Sequence, residues 1–155
     1  MTVDANVIKE RARAGRLHWC DCAGFQLQVE RPTELAWYAF QTAFQGENDE
    51  LTGDRAMRAF RRAGGFVRDW DGVTFGDIFA ADVLSEEEAQ AAAPFDAELL
   101  DYFIQSNPEA AGQLFQEVQR LYVEHRQTED EAKKKPTSGS RSPDGNETPE
   151  KPATS

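Results

Sequence analysis

The chain runs to 155 residues, with 17 Lys+Arg against 28 Asp+Glu and a formal net charge of −11. Its length suits one domain, and no apolar run approaches the roughly 20 residues that span a bilayer. An N-terminus carrying Asp4, Lys9, Glu10 and Arg11 is no secretory signal, and two cysteines with two histidines make neither a disulfide scaffold nor a protein-built metal site.

Residues 1–15 are polar and rich in Arg and Ala, and predict a short helix from Val7 to Ala14 ended by Gly15. Phe25, Leu27 and Val29 then alternate with Gln26, Gln28 and Glu30, the period-2 pattern of a half-buried strand. Arg16 to Asp21 supplies its hairpin partner, with Ala23-Gly24 near the turn. Arg31-Pro32 stops the strand, because proline lacks the amide proton a ladder needs. From Thr33, a suitable N-cap, the period becomes helical through Gln45. This helix is expected to bury Leu35, Trp37, Phe40, Ala43 and Phe44, with Gly46 as its left-handed exit. After a polar loop (Glu47 to Gly53), Asp54 to Ala63 predicts a helix with Met57 and Phe60 on one face, ended by Gly64-Gly65. Phe66 to Val73 reads as extended and tightly turned at Asp71-Gly72, with Trp70 anchoring it to the core.

Three helical stretches follow. Ser85 with Glu88 three positions on is a capping-box pattern for a short acidic helix ended by Pro94. Asp96 caps the next, whose Leu99, Leu100, Phe103 and Ile104 form an apolar stripe. Asn107-Pro108 is a start signal, Asn as cap and Pro at the first helical position. The helix behind it carries the clearest amphipathic face in the chain: Ala111, Leu114, Phe115, Val118, Leu121 and Tyr122. All sixteen aromatic residues lie at or before Tyr122. From Ala132 onward the chain is Lys, Pro, Ser, Thr, Gly and Glu without a large apolar residue, which predicts disorder because nothing offsets the entropy of ordering.

Charge is unevenly distributed. Residues 1–72 carry a net −1, residues 73–132 a net −12 and residues 133–155 a net +2. The middle block repels phosphate backbones and disfavours direct nucleic-acid binding. Arg55, Arg58, Arg61 and Arg62 recur at mostly helical spacing and read as a solvated face.

Candidate chemistry is sparse. His18, Cys20 and Cys22 share one face of a strand, but structural zinc takes four ligands and the second histidine, His125, is far along the chain. The cysteines read better as small apolar residues, too close in sequence for an unstrained disulfide. Asp69-Trp-Asp71-Gly72 begins like a calcium loop, yet no glutamate closes it at position twelve. The carboxylates of Glu86, Glu87 and Glu88, and of Asp96, Glu98 and Asp101, sit on exposed helical faces. They lack the apolar pocket that lifts an acid catalyst's pKa. No nucleophile elbow, phosphate loop or dinucleotide fingerprint is present. The expectation is a protein without catalysis, cofactor or metal. Trp37 and Tyr38 are adjacent on one helix and point to different faces, so either both pack on two core elements or one lies outside the core, where Tyr and Trp favour interfaces.

From Gly65 to Arg126 a Trp-centred turn (Asp69 to Val73) precedes an acidic segment, a Pro94-Phe95-Asp96 helix start, a final amphipathic helix and a Lys/Pro/Ser-rich tail. Upstream lies a strand ending in Arg31-Pro32-Thr33. Over residues 25–126 this order resembles the tail assembly chaperones of long-tailed bacteriophages. In one departure, Gly76 to Ala93 is longer and more helical than the brief linker expected there. The resemblance implies a small helical protein that binds the tape measure protein and helps tail tube subunits assemble around it. It also implies residence in the host cytoplasm and absence from the mature virion. Relatives often make a longer form by programmed frameshifting, with which Lys133-Lys134-Lys135 is compatible.

The fold expected is mostly α with a small N-terminal β-hairpin, acidic and soluble. Its parts are an N-terminal segment (1–15), one globular, mostly helical domain (16–131) and a disordered tail (132–155). The expected partner-binding residues are Trp37, Tyr38, Trp70, Leu114, Phe115, Val118, Leu121 and Tyr122, with neither nucleic acid nor membrane as partner. Two other functions fit the composition: an acidic nucleic-acid mimic that blocks a host enzyme, and a structural head–tail component. A mimic places carboxylates in spaced rows, whereas a chaperone shows an apolar patch amid the acid.

Overall fold

Three antiparallel strands carry one buried face, against which core side chains of several helices pack. The computed structural model describes residues 2–42 and 53–134. The elements are α1 (Ala5–Ala14), β1 (Leu17–Cys22), β2 (Phe25–Glu30), α2 (Glu34–Thr42), α3 (Gly53–Gly64) and β3 (Val67–Asp71), followed by α4 (Phe75–Ile78), α5 (Glu86–Gln90), α6 (Ala97–Ser106) and α7 (Pro108–Lys134). The chain divides into two compact units, Met1–Tyr122 and Val123–Ser155. In the second, described through Lys134, the chain is helical and Thr128 Oγ1 donates to the Glu124 carbonyl at 2.9 Å. The tail expected from Ala132 thus opens with three helical residues, and its remainder lies outside the described residues.

The predicted hairpin is present, with Cys22 paired to Phe25 across a two-residue turn. Ala23 (φ 53°) and Gly24 (φ 90°) both take positive φ, the geometry that matches strand twist in a two-residue hairpin. Alanine tolerates this because its amide donates to Gln113 Oε1 at 2.6 Å and the Gly24 amide to Asp21 Oδ1 at 2.8 Å.

The Phe66 to Val73 segment, expected only as extended, supplies a third strand. β3 pairs antiparallel with β2, giving the order β1-β2-β3. Between Gln28↔Asp69 and Val29↔Val67 the register skips Arg68. Such a bulge re-aims the extra side chain. Arg68 Nε reaches Glu30 Oε1 at 2.8 Å, while Arg16 Nη2 reaches Glu30 Oε2 at 3.0 Å. One carboxylate thereby ties the start of β1 to the start of β3.

Cys20, Leu27 and Trp70 lie side by side across the sheet, and with Cys22, Val29 and Val67 they form its buried face. Against it pack Phe40 of α2, Ala63 of α3, Leu100, Phe103 and Ile104 of α6, and Ala110, Ala111, Leu114, Val118 and Leu121 of α7. Each large aliphatic or aromatic side chain removed from water contributes about 1.5–3 kcal/mol. Among the described residues no buried side chain is polar or charged.

Most helix ends follow their sequence signals. Thr33 Oγ1 accepts from the Ala36 amide at 3.2 Å, Asp96 Oδ1 from the Glu98 amide at 2.7 Å, and Ser85 and Glu88 form the expected reciprocal box. Asn107 holds the expected N-cap position before Pro108, its carbonyl accepting from the Ala111 amide at 2.9 Å, but its side chain bonds elsewhere. Its side-chain amide donates backward to the Phe103 carbonyl at 2.9 Å and across to the Asp77 carbonyl at 2.8 Å. It closes α6 and pins it to α4. Ser106 Oγ adds a bond to the Ile78 carbonyl at 2.8 Å.

Helix α2 corrects one expectation. Leu35 is 78% exposed, because the face of α2 that meets the core is centred on Phe40, and Leu35 lies on the far side of the helical wheel. Met57 is likewise exposed, since α3 buries the small side chains of Ala59 and Ala63 instead. Ala43, Phe44 and Gly46 lie outside the described residues.

Candidate functional site

The eight residues expected to bind a partner divide sharply. Leu114, Val118 and Leu121 are buried beneath the sheet and α6, so the amphipathic face of α7 is an inward face. Trp70 is buried as well. Its indole Nε1 donates to the Ala93 carbonyl at 2.8 Å, and its ring meets Phe95 edge-on at 5.2 Å. Phe115 is half-buried against Phe40 and Phe60. Trp37 stacks on Tyr122 at 4.6 Å and 12°, and the Tyr122 hydroxyl donates to Glu34 Oε1 at 3.2 Å. Trp70, Leu114, Val118 and Leu121 are thereby corrected from docking face to core, whereas Trp37, Phe115 and Tyr122 are half-buried. The apolar period of α7 was read correctly, but the sheet and α6 consume it. Tyr38 alone of the eight is exposed, at 66%. It points away from Trp37, as adjacent residues on a helix must.

The hairpin cysteines are free and buried. Burial, assisted by the nearby Glu117 carboxylate, pushes the Cys20 thiol up to about 11; burial and the neighbouring Cys20 push Cys22 up to about 12. Thiols held this far above neutrality are neither nucleophiles nor ready metal ligands. No His/Cys/Asp/Glu cluster able to hold a metal occurs among the described residues. Asp69 Oδ1 accepts from the Trp70 amide at 2.8 Å, so this acid serves its own turn. Burial resists ionisation of Glu30, but the Arg16 and Arg68 guanidiniums outweigh it and hold that carboxyl below its ordinary value. No described helix is long and apolar enough to cross a membrane.

Two surface features remain. Between α2, α3 and the turn into β3 lies an open hollow of about 300 Å³, floored by Phe40, Phe66, Ala36 and Ala39 and rimmed by Arg61 and Arg62. Arg61 is already paired with Asp101 at 3.0 Å. The second feature lies where α4 meets α6. Phe79 and Tyr102 pack ring to ring at 5.3 Å, with Tyr102 46% exposed. In the turn that follows, Val83 is 65% exposed. Glu98 stands one helical turn before Tyr102, and Asp82, Glu86 and Glu87 flank Val83 in sequence. Between Arg68 and Arg120 the chain contains no Lys or Arg at all. Tyr102 and Val83 thus stand in water inside a stretch without cations, while Phe79 is half-buried against the core.

The sequence reading missed Phe79, Val83 and Tyr102, though two signals point to them. Tyr102 falls outside the Leu99, Leu100, Phe103 and Ile104 stripe by helical phase, and the cation-free run begins just upstream of Phe79. Compared with protein-family models, curated proteins and solved structures, the chain gives no match.

Proposed function

We propose that this chain is a non-catalytic tail assembly chaperone: it shields the apolar stripe of a helical segment of the tape measure protein in the host cytoplasm while tail tube subunits assemble, and it is left out of the mature virion. The observation that carries the reading is the exposure of Tyr102, packed on a half-buried Phe79, and of Val83, within a stretch that has no Lys or Arg. A nucleic-acid mimic has no use for exposed apolar side chains within its acidic face. A client helix with an apolar stripe and flanking Lys or Arg does, because the rings and Val83 take the stripe while the carboxylates steer and hold the cations. The contact is small, which suits a hold that must be released when the tube closes. Tyr38, exposed on α2 beside Leu35, offers a further apolar contact.

Co-expression of the full chain with tape measure segments tests this. The expected result is a soluble complex with the wild-type chain that is lost with Val83→Asp, a position whose exposure leaves folding intact. A tape measure segment as insoluble with the chain as without it would overturn the reading. So would a complex that ignores Val83→Asp but dissolves when Glu86, Glu87 and Glu88 become Gln, the signature of a charge-row mimic.

A further inference from the structure

The hollow of about 300 Å³ between α2, α3 and the turn into β3 joins an apolar floor to a cationic rim. Its α2 wall is Ala36, Ala39 and Phe40, which share one helical face at i, i+3 and i+4. Phe40 and Phe66 meet edge to face at 5.6 Å and 79°, so each ring holds the other in the floor. Arg61 and Arg62 close the rim from α3, and both are exposed.

The charge around the hollow runs against that of the chain, which is −11 in all. Arg61 is held by Asp101 at 3.0 Å. At the Gly65 end, Arg68 Nη1 donates to the Gly65 carbonyl at 2.6 Å, while its Nε shares Glu30 with Arg16. Arg62 has neither an ion pair nor a side-chain hydrogen bond among the described residues, and nor has Arg58, one helical turn before it. Arg16, Arg61, Arg62 and Arg68 thus stand against the carboxylates of Asp101 and Glu30. Of the other acids on α2 and α3, Glu34 accepts from Tyr122 at 3.2 Å and Asp54 lies near the far end of α3. Glu47, Asp49 and Glu50 lie outside the described residues.

An unpaired guanidinium beside an apolar floor selects the chemistry of its ligand. Arginine takes a carboxylate through two parallel hydrogen bonds, and a neighbouring apolar wall that excludes water strengthens them. The volume is at the lower end of ligand sites, room for one ring or branched chain and its charged head. A cation is repelled by the rim, and a wholly polar anion leaves the Phe40 and Phe66 rings uncovered. We infer that the hollow binds a carboxylate carried on a single aromatic or branched apolar body, as a free acid or as the last residue of another chain. The site shares no residue with the Val83 and Tyr102 surface, and the inference does not rest on the proposed client.

Amide chemical shifts of the full chain, followed by NMR through three titrations, are the test. The probes are phenylpropionate, its neutral counterpart phenylpropanol, and the peptide Gly-Gly-Ser-Phe with a free C-terminal carboxylate. Phenylpropionate is expected to give saturable shifts centred on Ala39 and Gly65, and phenylpropanol to bind at least about tenfold more weakly. Arg62→Gln and Ala39→Glu, both at exposed positions, are each expected to weaken phenylpropionate at least about tenfold while leaving circular dichroism unchanged. Replacing Glu47, Asp49 and Glu50 together by Gln is expected to leave that affinity unchanged. A peptide that binds about tenfold more tightly than phenylpropionate upholds the site and assigns it to a chain end; equal affinities uphold it and assign it to a free acid. Shifts that do not saturate or lie elsewhere would overturn the inference, as would equal binding of the alcohol or an affinity that ignores Arg62→Gln. So would a rise of about tenfold in the triple Gln variant, which gives the rim to the chain's own acids.

Discussion

Replacing Leu114 by alanine separates a core role for α7 from a docking role. Leu114 is 1% exposed and packs in the cluster that includes Leu27, Phe103 and Val118. The substitution removes three carbon atoms, worth about 0.8 kcal/mol each in transfer. The void they leave adds about 1 kcal/mol, at roughly 24 cal/mol per Å³ of a cavity on the order of 40 Å³. The expected loss is therefore about 3–4 kcal/mol, a large part of the roughly 5–15 kcal/mol that holds a domain folded. Urea unfolding followed by tryptophan fluorescence reads this directly. With an m-value near 2 kcal/mol per molar, the midpoint falls by about 1.5–2 M. Tyr38→Ala, at a side chain 66% exposed, is the control and is expected to move stability by less than about 0.5 kcal/mol. A loss under about 1 kcal/mol for Leu114→Ala, with a weakened client complex, would refute the inward assignment of α7.

Glu30→Gln removes the charge that Arg16 and Arg68 share, and is expected to cost about 1–3 kcal/mol in the same assay. Because the folded Glu30 carboxyl titrates below its ordinary 4.5, its contribution is full above about that pH and is lost as pH falls through the depressed value. The variant's unfolding curve should therefore converge on the wild type in acid, and a gap that is constant with pH would contradict the bridge. Cys20 and Cys22, with thiols raised to about 11 and about 12, are expected to resist iodoacetamide at pH 8 in the folded chain and to react fully in urea, as read by mass spectrometry. Rapid native labelling would show that β1 opens. At Gly76 an added Cβ would sit 2.7 Å from the Ala89 carbonyl oxygen, so Gly76→Ala is expected to push α5 from α4 at a cost of about 1–3 kcal/mol. A neutral result in urea unfolding would mean that α5 does not dock there.

Local signals in the sequence located the hairpin, the Thr33, Ser85 and Asp96 caps and the α6 and α7 stripes, because each depends on residues within a turn or two of one another. Asn107 was placed correctly before α7, but its side-chain amide serves carbonyls at Phe103 and Asp77, a choice made by packing between helices. The β2–β3 pairing spans about forty residues of intervening chain, and no local pattern in Val67 to Asp71 specifies its partner. The inward burial of Leu114, Val118 and Leu121 was missed for a related reason. Periodicity identifies which side of α7 is apolar, but not whether that side meets its own domain or another chain. Burial assigns Leu114, Val118 and Leu121 to the interior and leaves Val83 and Tyr102 outside, in a stretch without cations.

The most direct measurement is a fluorescence anisotropy titration of the full chain with two labelled helical peptides sharing one apolar stripe, one flanked by lysines and the other by glutamates. The account predicts saturable binding of the lysine peptide, weakened at least about tenfold by Val83→Asp, the scale of about 1.4 kcal/mol, and little binding of the glutamate peptide. Equal affinity for both peptides, or an affinity for the lysine peptide that Val83→Asp leaves unchanged, would contradict it.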